Sequence, residues 1–245
     1  MARLLVINPN TSASVSELLQ RRVSAAVGGA HEVRTVTARF GAPYISSEAG
    51  YAVAQHATLD AWAAAHANGE RPDAVLIGCF GDPGLFALRE GAGVAVGGLA
   101  EASFLAGSRR GRFAVVTGGE AWRPMLERLA WSLGHSASLA GIHTVAPTGA
   151  QLAADPDGAR SLLAQACRDA AQRFGVQAVV LGGAGLAGMA AEIGDAVPVP
   201  LIDSVDAGAE WAVAAAGSSA SGAKKAAVGF GVAWQSVSWE LESFG

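Results

Sequence analysis

Asp73-Ala-Val-Leu-Ile-Gly-Cys79 and Gln177-Ala-Val-Val-Leu-Gly-Gly183 align position for position. Each is a short aliphatic run that ends in glycine and opens onto small residues. The flanks correspond as well. Arg3-Leu-Leu-Val-Ile7 resembles Arg112-Phe-Ala-Val-Val116, and Val94-Ala-Val-Gly97 resembles Val199-Pro-Leu-Ile202, each with an acidic residue and alanine downstream (Glu101-Ala102 and Asp206-Ala207). The repeat predicts two pseudo-twofold-related halves with one site between them, each half supplying a strand end. One of those ends carries a thiol, Cys79, and the other, Gly183, carries no side chain.

Working outward, continuous β-branched and aliphatic runs predict strands at residues 4–7, 32–36, 74–77, 94–96, 113–116, 143–145, 178–181 and 199–202. Runs without polar alternation suit strands buried on both faces of a parallel sheet. Helical stretches lie between them, at 12–26, 50–67, 85–90, 101–106, 122–133, 155–174 and 206–216. Asn10-Thr-Ser12 and Asp155-Pro-Asp157 read as helix starts. Strands alternating with helices imply βαβ units. The predicted fold is α/β, with two flavodoxin-like parallel-sheet halves. The first spans residues 1–107 and the second 108–222, divided at Gly107-Ser-Arg-Arg-Gly111. The segment 223–245 is expected to return to the first half, with 226–230 as one more strand and Ser218-Ser-Ala-Ser-Gly-Ala223 as a loop.

Composition narrows the function. The 245 residues are 51% hydrophobic and 16% charged, ample for a buried core. A net charge of −4 argues against nucleic acid as a partner. No apolar run reaches the roughly 18 residues of a membrane span. The opening Met1-Ala-Arg-Leu-Leu-Val-Ile-Asn-Pro9 lacks a signal-peptide pattern, so a cytoplasmic location is expected. Cys79 and Cys167 make neither a disulfide framework nor a zinc cluster, and the five histidines lack metal spacing. No cofactor or metal is called for. A small molecule bearing a carboxylate or carbonyl is the expected partner, and a homo-oligomer the expected assembly.

Ligands of open parallel sheets bind beyond the carboxyl ends of the strands. Four clusters stand there: Asn8-Pro-Asn10-Thr11, Gly78-Cys-Phe80-Gly81-Asp82-Pro-Gly84, Thr117-Gly118-Gly119-Glu120 and Gly182-Gly183-Ala184-Gly185. Their glycines allow backbone N–H groups to approach an anion or carbonyl oxygen. Cys79 sits among them, just before a helix whose N-terminus would favour a thiolate. Cys167 falls mid-helix and reads as packing, and His56 reads as a surface or helix-packing residue. Asp82 and Glu120 can position a substrate, although Asp-Pro-Gly is also ordinary turn chemistry. Neither a phosphate loop, nor a dinucleotide fingerprint, nor a Gly-x-Ser-x-Gly elbow is present.

Val6-Ile-Asn-Pro-Asn-Thr-Ser12, Gly78-Cys-Phe-Gly-Asp-Pro-Gly-Leu85 and Arg112-Phe-Ala-Val-Val-Thr117 resemble the hydantoin and allantoin racemase branch of the aspartate/glutamate racemase superfamily. The resemblance implies cofactor-independent proton transfer at a carbon next to a carbonyl, with one cysteine on each face of the substrate. It implies that Cys79 is the first of those cysteines. It also implies that Asn10, Phe80, Gly81, Thr117, Gly118, Gly183 and Ala184 surround the substrate. The family's second cysteine stands in Leu-Gly-Cys-Ala-Gly, where this chain has Leu181-Gly-Gly183-Ala-Gly185. Three activities are therefore carried forward. One is a racemase or isomerase using Cys79. Another is a one-cysteine decarboxylase of arylmalonate type, and the third is a non-catalytic small-molecule binder.

Overall fold

The computed structural model describes residues 1–147, 149–219 and 228–245, and divides them into two units. The first comprises Met1–Gly98 with the described part of Ala209–Gly245, and the second Leu99–Gly208. The division thus falls before the helix Leu99–Ser108, earlier than the Gly107–Gly111 turn.

The first unit holds a parallel sheet of β1 (Arg3–Asn8), β2 (Glu32–Thr37), β3 (Ala74–Ile77) and β4 (Ala95–Gly98), in the order β2-β1-β3-β4. Its helices are α1 (Ala13–Val27), α2 (Glu48–Ala67) and α3 (Leu85–Gly91). In the second unit, α4 (Leu99–Ser108), α5 (Trp122–Ser132), α6 (Gly149–Ala154), α7 (Pro156–Phe174) and α8 (Met189–Ile193) accompany a second sheet. That sheet is β5 (Phe113–Gly118), β6 (Leu139–Val145), β7 (Ala178–Gly182) and β8 (Leu201–Asp203), in the order β6-β5-β7-β8. Helix α9 (Ser204–Ser219) begins in the second unit and ends in the first, and α10 (Trp239–Glu242) lies near the C-terminus.

The two sheets share order and register. Ile7 pairs with Ile77, which pairs with Gly98; in the second sheet Val116 pairs with Leu181, which pairs with Asp203. The internal repeat read from the sequence is therefore a repeat of topology. The middle strands β3, β5 and β7 are buried along their whole length and β1 beyond Arg3, which is why these segments carry no polar alternation. Local chemistry starts and stops the helices. Ser12, Ser47 and Asp155 accept from the N–H groups of Val15, Gly50 and Gly158, and Pro156 occupies the first turn of α7. Gly175, at φ 58°, ends α7. The second unit's core lies between its sheet and α7–α8 and includes Cys167, fully buried. Among the described residues no helix is long and apolar enough to cross a membrane.

Two expectations need revision at the C-terminal end. Helix α9 runs through Ser219, so Ser218 and Ser219 of the expected loop are helical, and its residues 220–223 lie outside the described set. Of the expected strand 226–230, residues 226–227 lie outside that set and 228–230 form a bend and irregular chain. The short helices α6, α8 and α10 are too brief to announce themselves by periodicity.

Residues 228–245 pack on the first unit. Gly229 N donates to Gly91 O (2.9 Å), and Phe230 fills the space left at Gly91. Phe230 and Phe244 both meet the Trp62 ring, at centroid distances of 5.6 and 4.7 Å. Arg39 ties the segment down. Its Nε and Nη2 donate to the two Asp60 oxygens (2.9 and 2.7 Å), and its Nη1 donates to Glu240 Oε1 (2.7 Å). Burial works to raise Asp60, but hydrogen bonds from Arg39 and Ser238 outweigh it and hold the carboxyl below its ordinary range. Hydrogen bonds from Arg39 hold Glu240 low as well. Both carboxyls have folded-state values below their unfolded ones, so their contribution to stability is present at neutral pH and is lost as pH falls through those folded values. Arg39→Met strands the buried Asp60 charge. Its expected cost is about 1–3 kcal/mol, toward the lower end because the guanidinium is half exposed. Thermal denaturation should show that loss at pH 7 and a shrinking gap between variant and wild type below about pH 4, with residues 228–245 more readily cleaved in the variant.

Candidate active site

In the first unit, Asn8 closes β1 and its side chain is fully buried. Its Nδ2 donates to Asn10 Oδ1, to Ser12 O and to Ser16 Oγ, each at 3.0 Å. Ser12 N also donates to the Asn10 side chain (2.9 Å). A backbone N–H only donates, so that atom of Asn10 is the oxygen. The Asn10 amide is thereby oriented, and its Nδ2 has no acceptor among the described residues.

Cys79 emerges from β3, beside β1, and is 8% exposed. The turn that follows is held from three sides. Asp82 N donates to Cys79 O (3.1 Å). From α2, the Tyr51 hydroxyl donates to Gly81 O (2.8 Å) and Thr58 Oγ1 to Pro83 O (2.9 Å). Phe80 is buried, and Gly81, at φ 146°, has an N–H with no acceptor among the described residues. The sequence expectation of a stabilised thiolate is corrected here. Burial pushes the Cys79 thiol well above its ordinary value, and the Asp82 charge adds to the effect. At neutral pH Cys79 is a thiol. Cys167, in the α7 core, is pushed up to about 12 by burial.

In the second unit, Thr117 occupies the register position of Asn8 and pairs with Gly182. It is 4% exposed, and its hydroxyl has no hydrogen-bond partner among the described residues. Gly118 ends the same strand. Gly183 follows β7 as Cys79 follows β3, with φ 141° and ψ 129°. Its N–H donates to Ser204 Oγ (3.1 Å), and Ala184 opens a single 3₁₀ turn. Asp203 carries the other tie. Gly188 N donates to its Oδ2 (2.6 Å), and Val205 N to its Oδ1 (2.9 Å). Burial raises Asp203, while these backbone donors pull the other way. The metal-free expectation concerns residue types, and among the described residues no group of three or more His, Cys, Asp or Glu is placed to hold a cation.

Asn10, Cys79, Phe80 and Gly81 thus lie together beyond adjacent strands of the first sheet, and Thr117, Gly118, Gly183 and Ala184 beyond adjacent strands of the second. Glu120 follows β5 in the next turn. His56 sits on α2 with its ring against Phe40, at 5.0 Å. Sequence reading passed over Ser204 and Asp203, though both directly end an expected strand. Tyr51 gave no signal at all, since it reaches Gly81 from 30 residues away.

A model of the Asp/Glu/hydantoin racemase family matches residues 4–212. Hydantoin racemase of Paenarthrobacter aurescens is 32% identical over 210 residues, covering 84% of this chain and 87% of that protein. Allantoin racemase from Klebsiella pneumoniae superposes with a TM-score of 0.81 at 30% identity, covering 87% of each chain. A liganded double mutant of arylmalonate decarboxylase shares the fold, with a TM-score of 0.66 at 19% identity over 92% of this chain and 96% of that one.

The space at Gly183 is open. An added Cβ would meet only Leu186, at 3.5 Å, in ordinary contact. Its backbone conformation is the obstacle, because L side chains rarely adopt φ 141°. Gly183→Ala is expected to lower stability by about 1–3 kcal/mol through backbone strain, read as a lower melting temperature. A melting temperature equal to that of the wild type would show that the strand end relaxes freely.

Proposed function

Because the chain belongs to the Asp/Glu/hydantoin racemase family, we propose that it exchanges a proton at the acidic carbon of a small, uncharged hydantoin-like or allantoin-like ring, with Cys79 as the thiol that carries the proton. The observation that carries this reading is the setting of Cys79. It is a buried thiol at a strand end, beside an oriented Asn10 amide and the free N–H of Gly81. Those donors suit an oxygen on which enolate charge develops as the carbon loses its proton. Charge supports an uncharged substrate. Among the described residues within two positions beyond a strand's end, the one cation is Arg39, and Asp60 and Glu240 occupy it.

One feature favours the second reading, decarboxylation. Gly183 has no side chain to act as a second acid or base, and a neutral thiol can protonate an enolate left by loss of CO₂ without any partner. The two reactions differ in pH dependence. Proton abstraction needs the thiolate, a minor species that grows tenfold per pH unit below the thiol's raised pKa, so exchange should rise with pH across the neutral range. Protonation of an enolate uses the abundant thiol, so decarboxylation should be flat there. Incubation of hydantoins in D₂O, followed by NMR and chiral chromatography, should show incorporation at the ring carbon that rises with pH. Cys79→Ala should reduce it about 10²–10⁴-fold and Thr117→Val about 10²–10³-fold, with circular dichroism unchanged. CO₂ release from arylmalonates without exchange would replace this reading with the second. Binding without either would leave a small-molecule binder.

A further inference from the structure

Asp82 is 1% exposed and is held at φ 53°, a left-handed conformation that a residue other than glycine adopts only under constraint. The constraint is visible. Asp82 N bonds Cys79 O and Leu85 N bonds Asp82 O, so the turn folds the side chain back over the sheet. There the carboxylate fills the space above Gly98 on β4, where any side chain at 98 would collide with it. The second unit solves the same place differently. Register makes Asp203 the counterpart of Gly98, and Leu186 is the counterpart of Asp82 in the turn after β7. Each unit therefore buries one carboxylate beyond this strand pair, supplied from opposite strands. Asp203 spends both oxygens on the N–H groups of Gly188, Val205 and Asp206. Asp82 stands in the turn that the thiol opens.

Resting on the reading of Cys79 as a proton carrier, we propose that Asp82 is a positioning residue for that thiol, its buried carboxylate held in the Cys79 turn so that the sulfur rests as the thiol and its thiolate, once formed, is a strong base toward substrate carbon. The carboxylate disfavours a second negative charge beside it. The small thiolate fraction, formed by loss of the thiol proton to solvent, is then a strong base: it takes the proton from substrate carbon, the C–H bond breaking as the S–H bond forms, and the thiol returns a proton to the enolate carbon. Other groups near the turn leave this role to Asp82. Asn8 and Asn10 do not titrate, and Tyr51 bonds the Gly81 carbonyl. On α2, His56 faces Phe40 and Asp60 is taken by Arg39.

Iodoacetamide labelling followed by peptide mass spectrometry tests this without substrate, so its failure is separate from failure of the proposed reaction. In wild type, Cys79 should remain thiol and react slowly through pH 8. Asp82→Asn should label Cys79 about tenfold or more faster at the same pH, with the pH profile displaced downward and Cys167 unchanged. Asp203→Asn should lower the melting temperature and leave the Cys79 profile where it was. Equal labelling of Cys79 in Asp82→Asn and wild type would overturn the proposal, as would a parallel rise at Cys167 or an equal rise in Asp203→Asn. If Asp82→Asn does not fold, Asp82→Ser takes its place with the same expected displacement of the Cys79 profile, and an unchanged profile in that variant, or full thiolate reactivity of wild-type Cys79 at pH 7, overturns the proposal.

Discussion

The buried strand β3 is the constraint on which the rest of the first unit depends. Its four residues are enclosed between β1 and β4, with no solvent-facing side. Parallel pairing on both sides leaves the chain one direction of exit, and Cys79 emerges there beside the end of β1. A thiol placed by a fully paired strand does not wander. The turn after it is then tied by its own backbone and by Tyr51 and Thr58 from α2. Burial that secures the position also sets the chemistry, because the same enclosure disfavours the thiolate.

The second unit repeats this geometry up to the last strand residue and then departs from it. Gly84 and Gly188, at φ 85° and 91°, occupy equivalent left-handed positions before α3 and α8. Between strand and helix, however, the first unit places a thiol and a carboxylate, and the second places a glycine and a leucine. Gly183 has settled into a conformation that side chains avoid, with its N–H bound to Ser204. Its lack of a thiol is therefore accompanied by a backbone adapted to glycine, which is more than the deletion of one functional group.

The C-terminal segment belongs to the same economy of contacts. The family match ends at residue 212, yet residues 228–245 cover α2 and α3, the two helices that flank the Cys79 turn. Aromatic rings supply most of the apolar contact, and Arg39 supplies the polar anchor. Buried carboxylates gathered on one half-exposed guanidinium make this the acid-sensitive part of the unit.

The fold was legible in the sequence because it rests on local signals that survive without tertiary context. Unalternated aliphatic runs mark strands covered on both faces, Ser12 and Asp155 mark helix starts, and the match of residues 73–79 with 177–183 marks a repeated topology. The strand-end placement of Asn10, Cys79, Thr117 and Gly183 was legible for the same reason, since parallel sheets bring their loops to one edge. Tertiary structure decided what those residues are. The protonation of Cys79 depends on enclosure by residues far away in sequence and on a carboxylate seated over Gly98. The role of Ser204 depends on the neighbour β8 provides to β7, and that of Tyr51 on a helix 30 residues from the turn it holds. Burial and long-range proximity determine charge and hydrogen bonding, and neither is written in the local pattern of a chain.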